Sequence, residues 1–408
     1  MGRIRSTTAL CVATLLAASL HGAVAGAAPV DAPSPAGKGR ICTDSPDPAS
    51  GQAREVIGIA ERTMRELDVN AVVLRVTKDG KEIVTRGLGQ SMTGVPATPG
   101  MHFRAGSVAI VYMGITLLQL VDEKKARLDD PVSRWLPEAP HGDDITLRML
   151  GDSTSGLHDY VTDPKFVAAL EAAPFRHWTP QQLLAYPEAH PLWYEPGTDW
   201  SYSHANFVLL GAALEKISGM PLDELLRQRV MSPLGLADTR NSFTPEIQPP
   251  VLHAFTEERG PYEESTFWNP SWTTAPGAVI TTHICDLARS AEAVGTGELL
   301  SPAAFRTQLD PGTVGLGGGT KNCPASVCQK NTEAKHFGLG VLVLNGWILT
   351  NPSFSGYAAV QAYLPAEGLA IAVATTHGAK APPENTAQTL MNRIAKALAP
   401  GHPAPGPP

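Results

Sequence analysis

The chain has 408 residues, 43% of them hydrophobic and 17% charged, with a net charge of −7. This is enough apolar material for a large core, or for two subdomains sharing an interface, so the chain is read as globular. Its acidic balance and the absence of a basic run argue against nucleic acid, whose phosphates demand clustered Lys and Arg.

Residues 1–28 read as an export signal. Arg3 and Arg5 form a positive start, Ala9 to Leu20 an apolar run too short to span a bilayer, and Ala23-Val24-Ala25 a small-residue cleavage site. We therefore expect a secreted protein with no membrane span. Cys11 lies inside the apolar run and leaves with it, so Cys42, Cys285, Cys323 and Cys328 remain. An even number in an exported chain points to disulfides, with Cys323–Cys328 and Cys42–Cys285 as the expected pairs. The close pair is five apart with no His pair beside it, so metal binding is not expected.

Residues 29–51, rich in Pro, Ala, Gly and Ser, read as an extended linker pinned by Cys42. Val56, Ile57, Ile59, Ala60 and Met64 then predict a helix over 54–67, followed by a hairpin of 70–77 and 81–86 through Asp79-Gly80. From Ser107 to about residue 294 the pattern is mainly helical, clearest over 206–218 and 222–231. Strands return at 337–344, turn at Asn345-Gly346, and continue over 347–351, 358–364 and 369–375. A helix over 385–398 precedes a tail, 399–408, expected to be disordered. The fold class is α/β (α+β): one antiparallel sheet flanked by terminal helices within a domain spanning 52–398. An α-rich subdomain, about 105–300, is inserted between the sheet segments, leaving a cleft where the two parts meet.

Several stretches in fixed order carry a family resemblance. They are Phe103 to Val108 with Leu117 to Glu123, Leu128 to Val132, Trp135 to Pro137, Ile145 to Arg148 and Thr154 to Tyr160. Further along come Pro196-Gly197, Tyr202-Ser203, Asn206 with Leu209 to Gly211, Ala275 to Val279, Phe337 to Gly340 and Ser355 to Tyr357. Over roughly residues 55–398 the chain resembles the penicillin-recognising serine hydrolases. Its likeness is to secreted actinobacterial D-alanyl-D-alanine carboxypeptidases and their class C β-lactamase and esterase relatives. The resemblance implies a DD-peptidase/β-lactamase-like fold, chemistry that needs no cofactor, and a small-molecule ester or amide, or a cell-wall peptide, as partner. We expect a monomer.

The resemblance also implies three catalytic elements, each altered here. The first is a serine and a lysine three apart at a helix start, where that spacing puts hydroxyl and amine on one face. Here it reads Ser107-Val108-Ala109-Ile110, and isoleucine cannot take a proton. The second, a tyrosine with an asparagine two residues on, reads Tyr202-Ser203-His204. The third, a cation on an edge strand that meets a substrate carboxylate, falls on Thr350-Asn351-Pro352, with Ser353 next. Pro352 suits an edge position because it lacks an N–H. Without a cation at Thr350, neutral esters or amides are the expected substrates.

The candidate catalytic residues are thus Ser107, Tyr202 and His204, and the candidate substrate-binding residues Asn206, Thr350, Asn351, Ser353 and Trp272. Ser107 reads as a nucleophile at a helix N-terminus or as a capping residue of an inactive site. Tyr202 reads as a proton relay or as a buried aromatic with a satisfied hydroxyl. His204, titrating near neutrality, reads as a replacement base or as polar filler. Asp159, with His158 and Tyr160, reads as architecture of the cleft rim. Trp193, Trp200, Trp268 and Trp272 read as an aromatic wall or as core. Two functions stand open: a weak or repurposed hydrolase working through Ser107, and a non-catalytic binding module.

Overall fold

The computed structural model describes residues 42–46 and 51–404. The expected signal at 1–28 lies outside them.

Helix α1 (Gly51–Glu66) leads into strands β1 (Val69–Lys78) and β2 (Lys81–Met92). Both turn residues between the strands take positive φ, 50° at Asp79 and 70° at Gly80, the geometry that a two-residue turn needs to match strand twist. The chain returns to this sheet only near its end, through β3 (Lys335–Phe337), β4 (Leu342–Leu344), β5 (Trp347–Thr350), β6 (Ser353–Phe354), β7 (Tyr357–Leu364) and β8 (Leu369–His377). The strands pair antiparallel in the order β2-β1-β8-β7-β5-β4-β3. Residues 95–96 flank β2, and β6 sits on β7.

Period-two alternation decides which side each residue faces. Leu369, Ile371 and Val373 of β8, with Val72, Leu74 and Val76 of β1, pack beneath α1 and the last helix, α5 (Thr386–Leu398). The intervening Ala71, Val73, Ala359, Ala372 and Ala374 face the other core. Their small side chains let a helix come close, and α4 (Ile284–Thr296) lies against β1, β7 and β8.

The inserted part is built round α2 (Val108–Asp122), in which 12 of 15 residues are buried. A helix apolar on nearly every side belongs in a core, not on a surface. Beside it runs α3 (His204–Ser218).

Several expectations need correction. The α-rich part expected over about 105–300 also holds strands: Val279–Thr282 and Arg240–Ser242 pair with Phe103–Arg104 in a small antiparallel sheet, and the helix expected over 222–231 runs as α-helix over Leu222–Leu226 and then as a π-turn at Arg227–Met231. The strand expected over 337–344 breaks at Gly338-Leu339-Gly340. There the backbone crosses α2 so closely that a Cβ on Gly340 would stand 2.7 Å from the Ile110 carbonyl oxygen. Residues 44–45 run along β2, with Ser45 N–H on the Thr85 carbonyl (2.8 Å) and Gly87 N–H on Asp44 (2.8 Å), so that part of the predicted linker is docked. The tail is likewise held as far as Ala404: Trp347 Nε1 donates to the His402 carbonyl (2.9 Å) and Asn345 Nδ2 to that of Pro403 (3.0 Å).

The structure pairs Cys42 with Cys285 and Cys323 with Cys328. The first ties the docked segment to α4, across a separation of 243 residues. The second closes a loop that reaches the cleft.

Candidate active site

Where the sheet edge meets the helical part there is a cavity of about 510 Å³. Ser107, Ile110, Tyr202, His204, Trp272, Thr350, Asn351 and Ser353 all line it. The sequence therefore brought together residues nearly 250 positions apart at one place.

Ser107 stands immediately before α2. Its side chain makes no capping bond, and its N–H has no acceptor among the described residues. It is held there by Gly106, which takes φ +35° and against which Pro352 packs; a Cβ at Gly106 would lie 3.0 Å from Pro352 Cβ. A larger residue at 106 would therefore force apart the serine turn and the edge strand. An unused N–H at a helix head is suited to developing negative charge.

The phenol of Tyr202 faces Ser107. Burial pushes it well above the usual tyrosine range, the Asp159 charge pushes it further, and the Ser107 hydroxyl pulls it partly back. A neutral phenol at pH 7 can relay a proton but is a poor acceptor of one.

His204 opens α3, capped by Ser203. Its Nδ1 lies 3.1 and 3.0 Å from the two carboxylate oxygens of Asp159. Asp159 also accepts the backbone N–H groups of His204 (3.2 Å) and Val161 (3.2 Å). A carboxylate only accepts, so Nδ1 carries the proton of this hydrogen bond and Nε2 is the ring nitrogen that Asp159 leaves unengaged. Among the described residues Nε2 has no partner. Asp159 was read from sequence as architecture, but it holds the ring of His204, which lines the same cavity as Ser107, and it lines that cavity itself. Nothing in the spacing of Asp159 and His204 revealed this, because 45 residues separate them.

Ile110 is 2% exposed. It occupies the position from which an amine would reach Ser107, and hydrocarbon there offers no proton acceptor. Thr350 ends β5 with its hydroxyl buried and unpartnered, leaving a polar group free for a ligand. Asn351 donates to Gln388 (2.7 Å). The amide of Asn385, which caps α5, reaches the carbonyls of Asn351 (2.9 Å) and Pro352 (3.0 Å) and the Ser353 hydroxyl (3.1 Å).

Asn206 is a correction. It is 0% exposed and lies outside the cavity lining, bonded to Ser155 (2.5 Å) and Ser153 (3.4 Å). It braces α3 from behind, away from the cavity. Of the four tryptophans, Trp193, Trp200 and Trp272 line the cavity. Trp268 does not; it is buried with the Arg259 guanidinium 5.8 Å from its ring.

The beta-lactamase family profile matches residues 56–396. The chain belongs to the beta-lactamase family. Among similar proteins in this serine-hydrolase family is a putative penicillin-binding protein, PbpX, of Bacillus subtilis, 24% identical over 59% of this chain and 60% of its own length. Another is esterase EstB of Burkholderia gladioli, 30% identical over 47% of this chain and 52% of its own length. The matched stretches thus span about half to three fifths of these relatives. In solved structures the fold recurs in a D-amino acid amidase from Ochrobactrum anthropi SV3, with TM-score 0.72 and 21% identity over 86% of this chain and 99% of that one. It recurs too in a D-stereospecific amidohydrolase from a Streptomyces species, with TM-score 0.69 and 24% identity over 87% of this chain and 99% of that one. Family membership accounts for the sheet and for the helical part packed on it.

Proposed function

We propose that the protein is an exported serine hydrolase of low, altered activity that acts on an ester or amide through an acyl-enzyme on Ser107. The observation that carries this reading is the His204–Asp159 pair in the same cavity as the serine. Esterase, amidase and peptidase names among its relatives support the same reaction class.

In this scheme Ser107 Oγ attacks the acyl carbon, and its proton passes by way of the Tyr202 phenol to Nε2 of His204. The N–H groups of Ser107 and Ser353 receive the oxyanion. The bond to the leaving alcohol or amine breaks as His204 returns the proton to it. Water then attacks the ester on Ser107, giving a proton to His204, and the bond to Ser107 Oγ breaks as His204 returns that proton to it, so the acid departs with the Ser107 hydroxyl restored. Activity is low because Ile110 replaces the expected amine base, a loss worth about 10²–10⁴ in rate.

Export is supported by the charged and apolar pattern of residues 1–28 and by the two disulfides, which suit an oxidising compartment. No described helix is long and apolar enough to cross a membrane.

The buried, hydrocarbon Ile110 favours a second reading, a cleft that binds without turnover. Intact-mass spectrometry after incubation with a fluorophosphonate, and separately with a penicillin, separates the two. A mass increase lost in Ser107→Ala supports the hydrolase, and loss also in His204→Ala assigns the base. An unmodified protein with both reagents rejects the hydrolase in favour of the binding module.

A further inference from the structure

The cavity lining carries a cation that the edge-strand motif lacks. Four nitrogen-bearing side chains that can be cationic line the cavity: Lys330, Lys335, His204 and His336. Three are already engaged. Lys330 Nζ donates to the carbonyls of Gly315 and Gly317. The two ring nitrogens of His336 meet the carbonyls of Thr332 (3.1 Å) and Leu309 (2.9 Å), and His204 is held by Asp159. The ammonium of Lys335 has neither an ion pair nor a hydrogen-bond acceptor among the described residues. Asp159 is the sole carboxylate in the lining, and it is committed to His204.

We propose that Lys335 is the carboxylate anchor of this cavity, and that the favoured ligand is an acyl compound with a carboxylate at the end remote from its reacting carbonyl. This rests on the reading of Ser107 as the reacting centre. A partly buried ammonium with no counter-charge costs free energy that an incoming carboxylate recovers through a charge-assisted hydrogen bond. Burial alone lowers the pKa of Lys335, with no anion opposing it.

The placement sets the length of the ligand. Lys335 and Phe337 alternate to the same side of β3, and the Phe337 ring lies 5.8 Å from that of Tyr202 and 5.9 Å from that of Trp200. Two residues along an extended strand add about 7 Å. Tyr202 faces Ser107, so Lys335 stands a full strand repeat beyond the ring that marks the reacting end. The Trp200 and Phe337 rings, which line the same cavity, suit methylene groups. A short acyl group cannot bridge that gap, whereas a dicarboxylic half-ester of several carbons can. The neutral preference expected from Thr350 is thereby reversed.

The test uses full-length Ser107→Ala protein, which cannot turn over, and isothermal titration calorimetry with monoethyl adipate and diethyl adipate. A free half-ester is one source of this chemistry and a peptide C-terminus another, so N-acetylglycylglycine is titrated alongside. We expect the half-ester to bind at least 10-fold more tightly than the diester. Lys335→Met should abolish that preference, Lys335→Arg should keep it, and added salt should weaken it. Equal binding of the two esters, binding of neither, or a preference that survives in Lys335→Met overturns the proposal. If Lys335→Met does not fold, the comparison of the two esters on Ser107→Ala protein decides alone. Tighter binding of the dipeptide than of the half-ester assigns the anchor to peptide ends. Binding is read without catalysis, so a missing half-ester preference leaves a Ser107 adduct standing, and a missing adduct leaves the preference standing.

Discussion

His204 Nδ1 and the Asp159 carboxylate face each other at 3.0 Å across the join between the turn at Tyr160–Thr162 and α3, with the side chains 17% and 12% exposed. The pair fixes the ring so that Nε2 stays available. If His204 moves protons for Ser107, His204→Ala should lower kcat for an aryl ester by about 10² or more with little change in KM. Asp159→Asn, which keeps the shape but offers Nδ1 a poorer acceptor, should cost less. Steady-state kinetics on both variants check this; an unchanged kcat in His204→Ala would make the histidine a structural residue.

The outline of the fold was legible because local signals and the global fold agreed. The Asp79-Gly80 and Asn345-Gly346 turns, the alternation of β8 and the periodicity of α1 each specify one conformation. What escaped were features fixed by approach between distant segments. The strand expected through Gly338 to Gly340 is broken by backbone contact with α2, and neither glycine announces that in sequence. The resemblance placed Ser107, Tyr202 and His204 together, as the structure does. It could not give Asp159 a role, since its carboxylate meets a side chain 45 residues further along the chain. Asn206 was misread for the converse reason: its motif position is kept while its side chain turns to Ser153 and Ser155.

Restoring the expected chemistry tests how much of the cleft still fits it. Ile110→Lys combined with His204→Asn and Thr350→His should raise the rate of penicillin acylation, followed by intact mass, by about 10² over the parent if the returned amine acts as base. The single Ile110→Lys change buries an amine where a hydrocarbon side chain is 2% exposed, so it should lower the melting temperature by several degrees. No gain in acylation from the triple variant would show that the walls have diverged along with the motifs.

Asn385 couples the last helix to the edge strand. Its oxygen accepts the Gln388 N–H (2.8 Å) while its amide nitrogen serves the carbonyls of Asn351 and Pro352 and the Ser353 hydroxyl. Asn385→Asp keeps the cap but loses every donor and places a charge against carbonyl oxygens, so it should destabilise by about 1–3 kcal/mol. Asn385→Ala loses the cap as well, worth about a further 1 kcal/mol. Urea unfolding measures both. If Ser353 N–H serves the oxyanion, kcat should fall in each variant; a loss of stability with kcat intact would remove Ser353 from the site.

Asp152 predicts a pH dependence of stability. It ends the short helix Leu147–Asp152, is 2% exposed, and its carboxyl is pushed by burial from 3.8 up to about 7, against the pull of the Thr154 hydroxyl and N–H. A folded-state pKa above the unfolded one means the folded protein holds this proton more tightly. The contribution to stability is therefore fully present below about pH 4 and lost as pH rises through about 7. At 1.36 kcal/mol per unit the loss is of order 4 kcal/mol at most. Asp152→Asn removes the ionisation, and its oxygen still accepts from Thr154, now 2.7 Å from Oγ1 and 3.1 Å from N. The variant should therefore gain on the parent by far more at pH 8 than at pH 5 in urea unfolding. Trp200 reports the transition from within the site, because its Nε1 donates to the Asp152 carbonyl (2.9 Å) and its ring lines the cavity. An equal difference between variant and parent at the two pH values would mean that Asp152 ionises in the folded protein much as it does in the unfolded chain.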